Sequence, residues 1–234
     1  MLQFFTSGES HGPQLTAFIE GLPAGLELNL EQIQKEMQRR KIGTGSGARQ
    51  LMEEDTVEIV SGVRQGKTLG SPITLVIKNK DFENWSQVMS VVPTEVDPEL
   101  KKVHSPRPGH VDLAGAQKYG FTDLRNVLER ASARETTARV ASGAVFKQFL
   151  KTLGIEVASY TLQIGSVASD KAGNFEEVKN AEKKNPGTRA LSDMAHKQME
   201  TLIAETRLKQ DTLGGVIEVW AVGLPVGLGS YVQW

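Results

Sequence analysis

Alternating and helical spacings of apolar residues predict strands and helices along the first part of the chain. Gln14–Glu20 is a short, apolar-rich run that ends in the Gly/Pro turn 21–25, which predicts a strand entering a tight turn. Asn29 and Gln32 form a capping pair ahead of apolar positions at helical spacing. A helix is therefore predicted that ends near the basic residues 39–41, where cations suit the helix dipole.

Glycine-rich and proline-rich loops separate the next predicted elements. A flexible loop is expected at 43–49, and alternation predicts strands at 56–63 and 73–78. The two prolines in 104–109 exclude regular structure there.

The second half of the chain is predicted to contain two longer helices. One begins near Ser132, because Glu135 stands three residues later as in a capping box. A strand at 155–164 and a helix at about 192–208 follow. The polar segment 168–188 between them is predicted to be a surface excursion with room for a short helix.

One pattern occurs twice. Residues 216–228 repeat the strand and Gly-Leu-Pro turn of residues 14–26. Two interpretations stay open, because a strand followed by a Gly-Pro turn is common, whereas a true repeat would make the fold a duplication. The first copy leads into the helix after Asn29, but the second reaches Trp234 before any such helix. The chain is therefore expected to stop inside a larger domain.

Composition excludes several classes of protein. Lys plus Arg is 27 and Asp plus Glu is 28, so bulk charge gives no reason to bind nucleic acid or a membrane surface. The absence of cysteine excludes disulfides, thiolate metal sites and cysteine nucleophiles, and favours a reducing compartment. No leader-like start and no apolar run of roughly 18 residues are found. These features predict a soluble, cytoplasmic protein.

Two of the four histidines stand in settings that suit proton transfer. His11 lies between glycines beside Ser10, where a ligand can approach the backbone. His110 is three residues from Arg107, and this pair suits a phosphate, since a guanidinium binds two oxygens while an imidazole protonates a departing one. The alternative for each histidine is an ordinary polar loop residue.

Missing motifs count against some classes of enzyme, and the arginines point to an anion pocket. The signatures of serine hydrolases, zinc peptidases and standard nucleotide-binding loops do not occur, and no metal site is predicted. Arginines border three loops rich in Gly, Pro or Ser, and residues 130–134 are predicted to form an anion cradle at the N-terminus of the long helix. Each arginine alone is an ordinary surface charge, whereas together they favour a multiply anionic small molecule. The set is Arg39, Arg40, Arg49, Arg107, Arg130 and Arg134.

Five segments, in order and spaced between residues 8 and 136, resemble the chorismate synthase family. They are residues 8–12, 58–73, 107–112, 118–120 and 130–136. The resemblance implies an α+β fold, a duplicated β-α sandwich with a helical layer between antiparallel sheets, assembled as a homotetramer. Residues 1–234 would then be a single such domain, incomplete at its C-terminus.

The resemblance also implies an activity and a site. A lyase of the shikimate pathway, which leads to aromatic amino acids, would convert 5-enolpyruvylshikimate 3-phosphate to chorismate and phosphate by 1,4-anti elimination, using reduced FMN without net redox change. His11 would protonate or hold the reduced flavin, and His110 would assist phosphate departure. The implied flavin contacts are Arg130, Ala131 and Ser132, and the implied substrate contacts are Ser10, Arg40, Arg49, Arg107 and Arg134.

Three features qualify what the family implies. Arg40 also matches a position assigned to NADPH, which is expected only if the enzyme reduces its own flavin. Ser46 stands where many members have arginine, and members continue beyond Trp234 with further flavin-binding segments. A non-catalytic phosphate-ligand module or an inactive fragment is the alternative, and binding alone would tolerate loss of both histidines.

Overall fold

The computed structural model describes residues 1–45 and 52–229, which form two compact units. The first unit comprises Met1–Arg40 and Leu51–Val145, and the second comprises Lys41–Gln50 and Phe146–Trp234. Both contain helices and antiparallel sheet, so the α+β class is confirmed. That residues 1–234 are one domain of the family stays a prediction.

The first unit is built on a four-stranded antiparallel sheet in the order β1-β2-β6-β3. Its strands and the small β4-β5 hairpin are β1 (Gln3–Ser7), β2 (Gln14–Glu20), β3 (Val57–Ser61), β4 (Val63–Arg64), β5 (Lys67–Thr68) and β6 (Ile73–Lys78). Ala17 of β2 pairs with Leu75 of β6, and both are fully buried on the same face. The strands predicted at Gln14–Glu20 and 73–78 are therefore confirmed.

The strand predicted at 56–63 is divided at Gly62. This glycine has φ 78°, and a Cβ there would lie 2.4 Å from the carbonyl oxygen of Pro72. The backbone turns at this point, which separates β3 from β4.

Among its described residues the first unit contains α1 (Leu30–Arg39), α2 (Asp112–Tyr119), α3 (Arg125–Ala131) and the start of α4 (Thr136–Thr152), which ends in the second unit. The predicted cap of α1 is confirmed, because Asn29 Oδ1 accepts a hydrogen bond from the backbone N–H of Gln32 at 3.0 Å. Ile33 and Met37 form the buried face of α1.

The start predicted for the long helix was wrong. Ser132 caps a 3₁₀ turn at Ala133–Glu135, and its hydroxyl accepts from the backbone N–H of Arg134. The Glu135 carboxylate accepts from Thr6 Oγ1 at 2.6 Å. Because this distant partner takes the carboxylate, the capping box is not formed and α4 begins four residues after Ser132, at Thr136.

Helices α2 and α3 pack closely at a glycine. A Cβ on Gly115 of α2 would lie 2.3 Å from Cγ1 of Val127 on α3. Only a residue without a side chain allows this approach. It holds together the two helices that carry Asp112 and Glu129.

The second unit is built on a three-stranded antiparallel sheet in the order β8-β7-β9. Its elements are β7 (Glu156–Ile164), β8 (Val167–Ala168), β9 (Gly215–Val222), α5 (Phe175–Lys184) and α6 (Asp193–Leu208). Tyr160 of β7 packs against Val178 and Ala181 of α5, and all three are buried. Segment 168–188 is therefore not merely a surface excursion, since α5 contributes to the core.

The repeated sequence pattern gives the same local backbone twice. Strand β2 is followed by Gly21 (φ 91°) and Gly25 (φ 82°), and β9 by Gly223 (φ 77°) and Gly227 (φ 91°). The repeat of strand and turn is thus confirmed, whereas duplication of the whole fold stays a prediction. Within 1–45 and 52–229, no helix has the length and apolar character needed to cross a membrane.

Candidate functional site

The loop between β1 and β2 carries His11 and is fixed at both ends. Gly8 has φ 103°, and a Cβ there would lie 2.4 Å from the carbonyl oxygen of Gln14. Asn79, which follows β6, donates from Nδ2 to the carbonyl oxygens of Gly12 at 2.7 Å and Glu9 at 3.1 Å. The loop is therefore held in one conformation by the sheet beside it.

Glu129 of α3 binds the centre of this loop. His11 Nδ1 lies 2.8 and 3.0 Å from the two carboxylate oxygens, and the backbone N–H of His11 donates to Oε2 at 2.8 Å. The N–H of Ser10 donates to the carbonyl oxygen of Glu129 at 2.9 Å. Arg125, one turn earlier on α3, donates to Oε1 at 2.8 Å.

These contacts decide the charge of Glu129, whose side chain is only 3% exposed. Burial by itself raises the pKa of the Glu129 carboxyl, but the hydrogen bonds from His11 and Arg125 outweigh burial and lower the pKa below its ordinary value. Glu129 is therefore an ionised acceptor at neutral pH.

An aromatic and charged layer covers the other side of His11. Its ring lies on Trp85 with centroids 3.9 Å apart, and Nε2 lies 4.0 Å from Oδ2 of Asp81. Trp85 donates from Nε1 to the same Asp81 oxygen at 2.9 Å. The ammonium of Lys101 and the guanidinium of Arg125 lie 3.6 and 4.7 Å from the centre of the Trp85 ring. His11, Asp81, Trp85, Arg125 and Glu129 are called the His11 cluster below.

His110 lies in a second group, the His110 cluster, which consists of Arg107, His110 and Asp112. Asp112 begins α2 and its carboxylate is fully buried. It accepts from the backbone N–H of Arg107 at 3.1 Å and from Arg107 Nε at 3.0 Å, and it also bonds His110 Nδ1. Arg107 Nη2 lies 3.0 Å from His110 Nε2.

The His110 cluster combines a fixed carboxylate with accessible cationic groups. Hydrogen bonding from the Arg107 side chain is the main reason that the pKa of Asp112 falls to about 2, against the opposing effect of burial. The Arg107 side chain is 50% exposed and that of His110 24% exposed. An incoming anion can therefore reach both.

Arg40 and Arg134, predicted to bind substrate, are brought together around one buried carboxylate. Asp55 accepts from Arg40 Nη1 at 2.5 Å and also bonds Arg134 Nη1. Arg134 donates from Nε to Asn79 Oδ1 at 2.9 Å, and its Nη2 lies 3.4 Å from Oε2 of Glu53. Arg134 is thus linked through Asn79 to the His11 loop.

Residues 130–134 were predicted to lie at the N-terminus of the long helix, and this position was wrong. Arg130 belongs to the last turn of α3, and extended backbone at Ser132 separates it from α4. Arg130 Nη2 donates to the carbonyl oxygen and the hydroxyl of Thr6, both at 2.7 Å. Ala131 is exposed and Ser132 half-buried, so residues 130–132 line an accessible turn.

The structure adds carboxylates and ring partners that residue patterns did not single out. Asp112 had a weak local signal, because it lies two residues after His110. Glu129 had none, since its partner His11 is 118 residues away. Arg49 and Ser46 lie outside the described residues.

A cleft of about 550 Å³ borders the His11 cluster, and its wall includes Glu9, Asp123, Arg125 and Glu129. In the part of the chain that the structure describes, no group of three or more His, Asp or Glu side chains is placed to hold a metal ion.

Comparison with known proteins gives one consistent family. The family described as chorismate synthase matches residues 2–234. A chorismate synthase of Listeria welshimeri serovar 6b is 49% identical and one of Enterococcus faecalis is 50% identical, each over 236 residues. Each match covers 100% of this chain and 61% of the relative.

A solved structure agrees with the sequence comparison. The protein titled "Crystal Structure of Chorismate Synthase" superposes with a TM-score of 0.77 at 41% identity, over 100% of this chain and 62% of that one. The chain thus spans about three fifths of the length of the relatives that it matches.

Proposed function

The chain belongs to the chorismate synthase family, and from this membership we propose that it serves as a lyase that converts 5-enolpyruvylshikimate 3-phosphate to chorismate and inorganic phosphate. The observation that carries the proposal is the pair of histidines, each bonded through Nδ1 to a buried carboxylate. Such a carboxylate orients an imidazole for proton transfer.

His110 and Arg107 are proposed to bind the phosphate group that leaves the substrate. In a 1,4-anti elimination the C–O bond to phosphate breaks, a ring proton is lost and a new double bond forms, so the departing oxygen gains charge. The accessible Arg107 guanidinium can bind phosphate oxygens, and His110 can place a proton on the leaving oxygen. Asp112 keeps both side chains in place.

Reduced FMN is the proposed cofactor, and the available donors fit it. Arg130 is 41% exposed, and the Ser132 hydroxyl and His11 imidazole add hydrogen-bonding groups that suit phosphate and flavin oxygens. When bound, the reduced flavin supplies electron density transiently, with no net oxidation. His11 would hold or protonate it, while Arg130, Ala131 and Ser132 contact it.

The substrate carries two carboxylates and a phosphate, and the proposed anion contacts are Ser10, Arg40, Arg49, Arg107 and Arg134. Among those described, Arg107 is the most accessible, whereas Arg134 is 6% exposed and bonded to Asp55. Arg134 therefore also stabilises the site itself.

From family membership we also propose a homotetramer, a cytoplasmic location and a place in the shikimate pathway. NADPH would bind near Arg40 only if the enzyme reduces its own flavin. A non-catalytic phosphate-binding module is not favoured, because the relatives that the chain matches are named chorismate synthases. Loss of both histidines distinguishes the two, since binding alone would tolerate it.

Phosphate release tests the proposal. We would assay residues 1–234 alone, and also a fusion in which they are followed by the part of the Enterococcus faecalis relative that lies beyond the match. Both receive substrate and chemically reduced FMN without oxygen. Release in either preparation, lost in its His11→Ala variant, supports the activity.

The Enterococcus faecalis protein serves as the positive control, and circular dichroism checks that each preparation is folded. If both preparations are folded and bind substrate but release no phosphate while the control does, the proposed activity is wrong.

A further inference from the structure

Glu129 binds both the backbone and the ring of His11 at the centre of the His11 loop. Its carbonyl oxygen accepts from Ser10, and its carboxylate accepts from the backbone N–H of His11 at 2.8 Å. The same carboxylate lies 2.8 and 3.0 Å from His11 Nδ1. A rotation of the imidazole would break the last of these contacts while the backbone stayed in place.

The chemistry of this contact selects one tautomer. An ionised carboxylate can only accept hydrogen bonds, so the hydrogen between Glu129 and His11 belongs to Nδ1. A neutral histidine carries one ring proton, and its other nitrogen is then an acceptor. For His11 that second nitrogen is Nε2, on the side of Asp81.

The surroundings of the ring reinforce this choice. Arg125 donates to Glu129 Oε1 and so supports the ionised carboxylate. Asp81 Oδ2 already accepts from Trp85 Nε1 at 2.9 Å, and it is 4.0 Å from His11 Nε2, beyond hydrogen-bond distance. Compared with Asp81, Glu129 therefore makes the closer contact with the His11 ring.

We propose that Glu129 is a positioning residue that keeps neutral His11 in its Nδ1–H form, so that Nε2 is the nitrogen that exchanges a proton with a bound ligand. The catalytic consequence rests on the proposed function, because the ligand there is the reduced flavin. The tautomer itself is a property of the chain without any ligand.

Nitrogen NMR of histidine-labelled residues 1–234 tests the tautomer directly. Long-range ¹H–¹⁵N correlations distinguish a protonated from an unprotonated ring nitrogen, and a His11→Gln variant assigns the signals. At a pH where the ring is neutral, we expect His11 to be protonated on Nδ1. In Glu129→Ala we expect a shift towards the Nε2–H form, which predominates in water.

Glu135→Ala is the matched control, because it removes a nearby carboxylate that bonds Thr6 and not a histidine. We expect its His11 signals to stay unchanged. If Glu129→Ala fails to fold because Arg125 loses its partner, the double variant Glu129→Ala/Arg125→Ala replaces it. An Nε2–H tautomer in the wild type, or an unaltered Nδ1–H tautomer in the folded Glu129 variant, overturns the proposal.

Kinetics separates this inference from the proposed activity. In whichever preparation releases phosphate, Glu129→Ala should lower kcat by about 10²-fold, at the lower end of general acid-base effects, with a smaller change in KM. An unchanged kcat would contradict a positioning role. A wild type that releases no phosphate would refute the activity, and the tautomer measurement would still decide the role of Glu129.

Discussion

The two histidine clusters contain the same contact between a carboxylate and an imidazole, but the carboxylate comes from a different part of the chain in each. In each, a buried carboxylate bonds Nδ1 of an imidazole. The carboxylate that bonds His110 belongs to Asp112, two residues further along the chain. The carboxylate that bonds His11 belongs to Glu129, which is 118 residues away in the sequence. The geometry of His110 is therefore a property of one loop, and that of His11 a property of the folded unit.

The two clusters also differ in how far the imidazole is exposed to solvent. His11 is 16% exposed and lies against Trp85, whereas His110 is 24% exposed beside the half-exposed Arg107. An enclosed ring suits contact with a bound planar cofactor, and an open imidazole with a guanidinium suits a leaving phosphate. We therefore expect a substitution next to the His11 loop to affect His11 without affecting His110.

The largest expected effect is on turnover. His11→Ala and His110→Ala should each lower kcat for phosphate release by about 10²–10⁴-fold, because each removes a proposed proton-transfer group. Substrate affinity, measured by calorimetry, should change much less. Wild-type kcat in either variant would refute the role of that histidine.

Arg134→Met tests the dependence of His11 on the surrounding fold. The substitution removes one of the two arginines bonded to buried Asp55 and the guanidinium 3.4 Å from buried Glu53. It should lower the free energy of unfolding by about 3 kcal/mol, at the lower end for a broken buried ion pair, because Arg40 stays bonded to Asp55. Because Arg134 also bonds Asn79, the NMR signals of His11 should shift while those of His110 stay in place. Urea unfolding and histidine NMR provide the two measurements.

Arg139→Met is the control for that change, since Arg139 is 59% exposed and pairs with Glu135 one helical turn away. Its cost should not exceed about 1 kcal/mol. Equal stability of the Arg134 and Arg139 variants would show that the buried arginine does not stabilise the unit.

Gly115→Ala should disturb both clusters together. The new Cβ would lie 2.3 Å from Val127 Cγ1, between the helices that carry Asp112 and Glu129. We expect a loss of about 1–3 kcal/mol in urea unfolding, with shifts in both histidines.

Gly143→Ala on α4 is the matched control, because among the described residues no atom beyond its own helix turn lies within 4 Å of a Cβ at this position. It should be neutral or stabilising by up to about 1 kcal/mol. The second change Val127→Ala should relieve the clash at Gly115. A Gly115 variant as stable as the Gly143 variant would contradict the close helix packing.

The smallest expected effect is the pH dependence of the His110 cluster. The pKa of Asp112 is lowered to about 2, so its ionised form stabilises the fold above the ordinary carboxyl pKa near 4, and this is lost as pH falls towards 2. The stability difference between wild type and Asp112→Asn should shrink between about pH 6 and pH 2 in urea unfolding. Since Arg107 is half-exposed, we expect a change of about 1 kcal/mol. If the stability difference between wild type and Asp112→Asn does not change with pH, ionisation of Asp112 does not stabilise the fold.

Residue patterns predicted the local parts of this molecule well. The Asn29 cap, the strands β2 and β6, and helix α6 follow from spacing alone, because neighbouring residues determine them. The two histidines and the arginines also stood out by type. Motif resemblance further gave the family.

The partners of those residues could not be predicted, because residues that are far apart in the sequence come together only in the folded chain. Glu135 fitted a capping box with Ser132, yet it bonds Thr6, which is 129 residues away. Arg134 had the type of a substrate contact, but folding buries it against Asp55, 79 residues away. Residue types indicated which side chains could take part in the chemistry, whereas their burial and their hydrogen-bond partners could be seen only in the three-dimensional structure.

The most direct test of the central claim is the stoichiometry of products. Substrate and reduced FMN are incubated without oxygen with residues 1–234, alone and in the fusion, and phosphate, chorismate and flavin oxidation are measured in the same sample. We predict equal amounts of phosphate and chorismate with no net oxidation of the flavin. Phosphate without chorismate, or neither product from folded protein under conditions where the Enterococcus faecalis relative turns over, would contradict the claim.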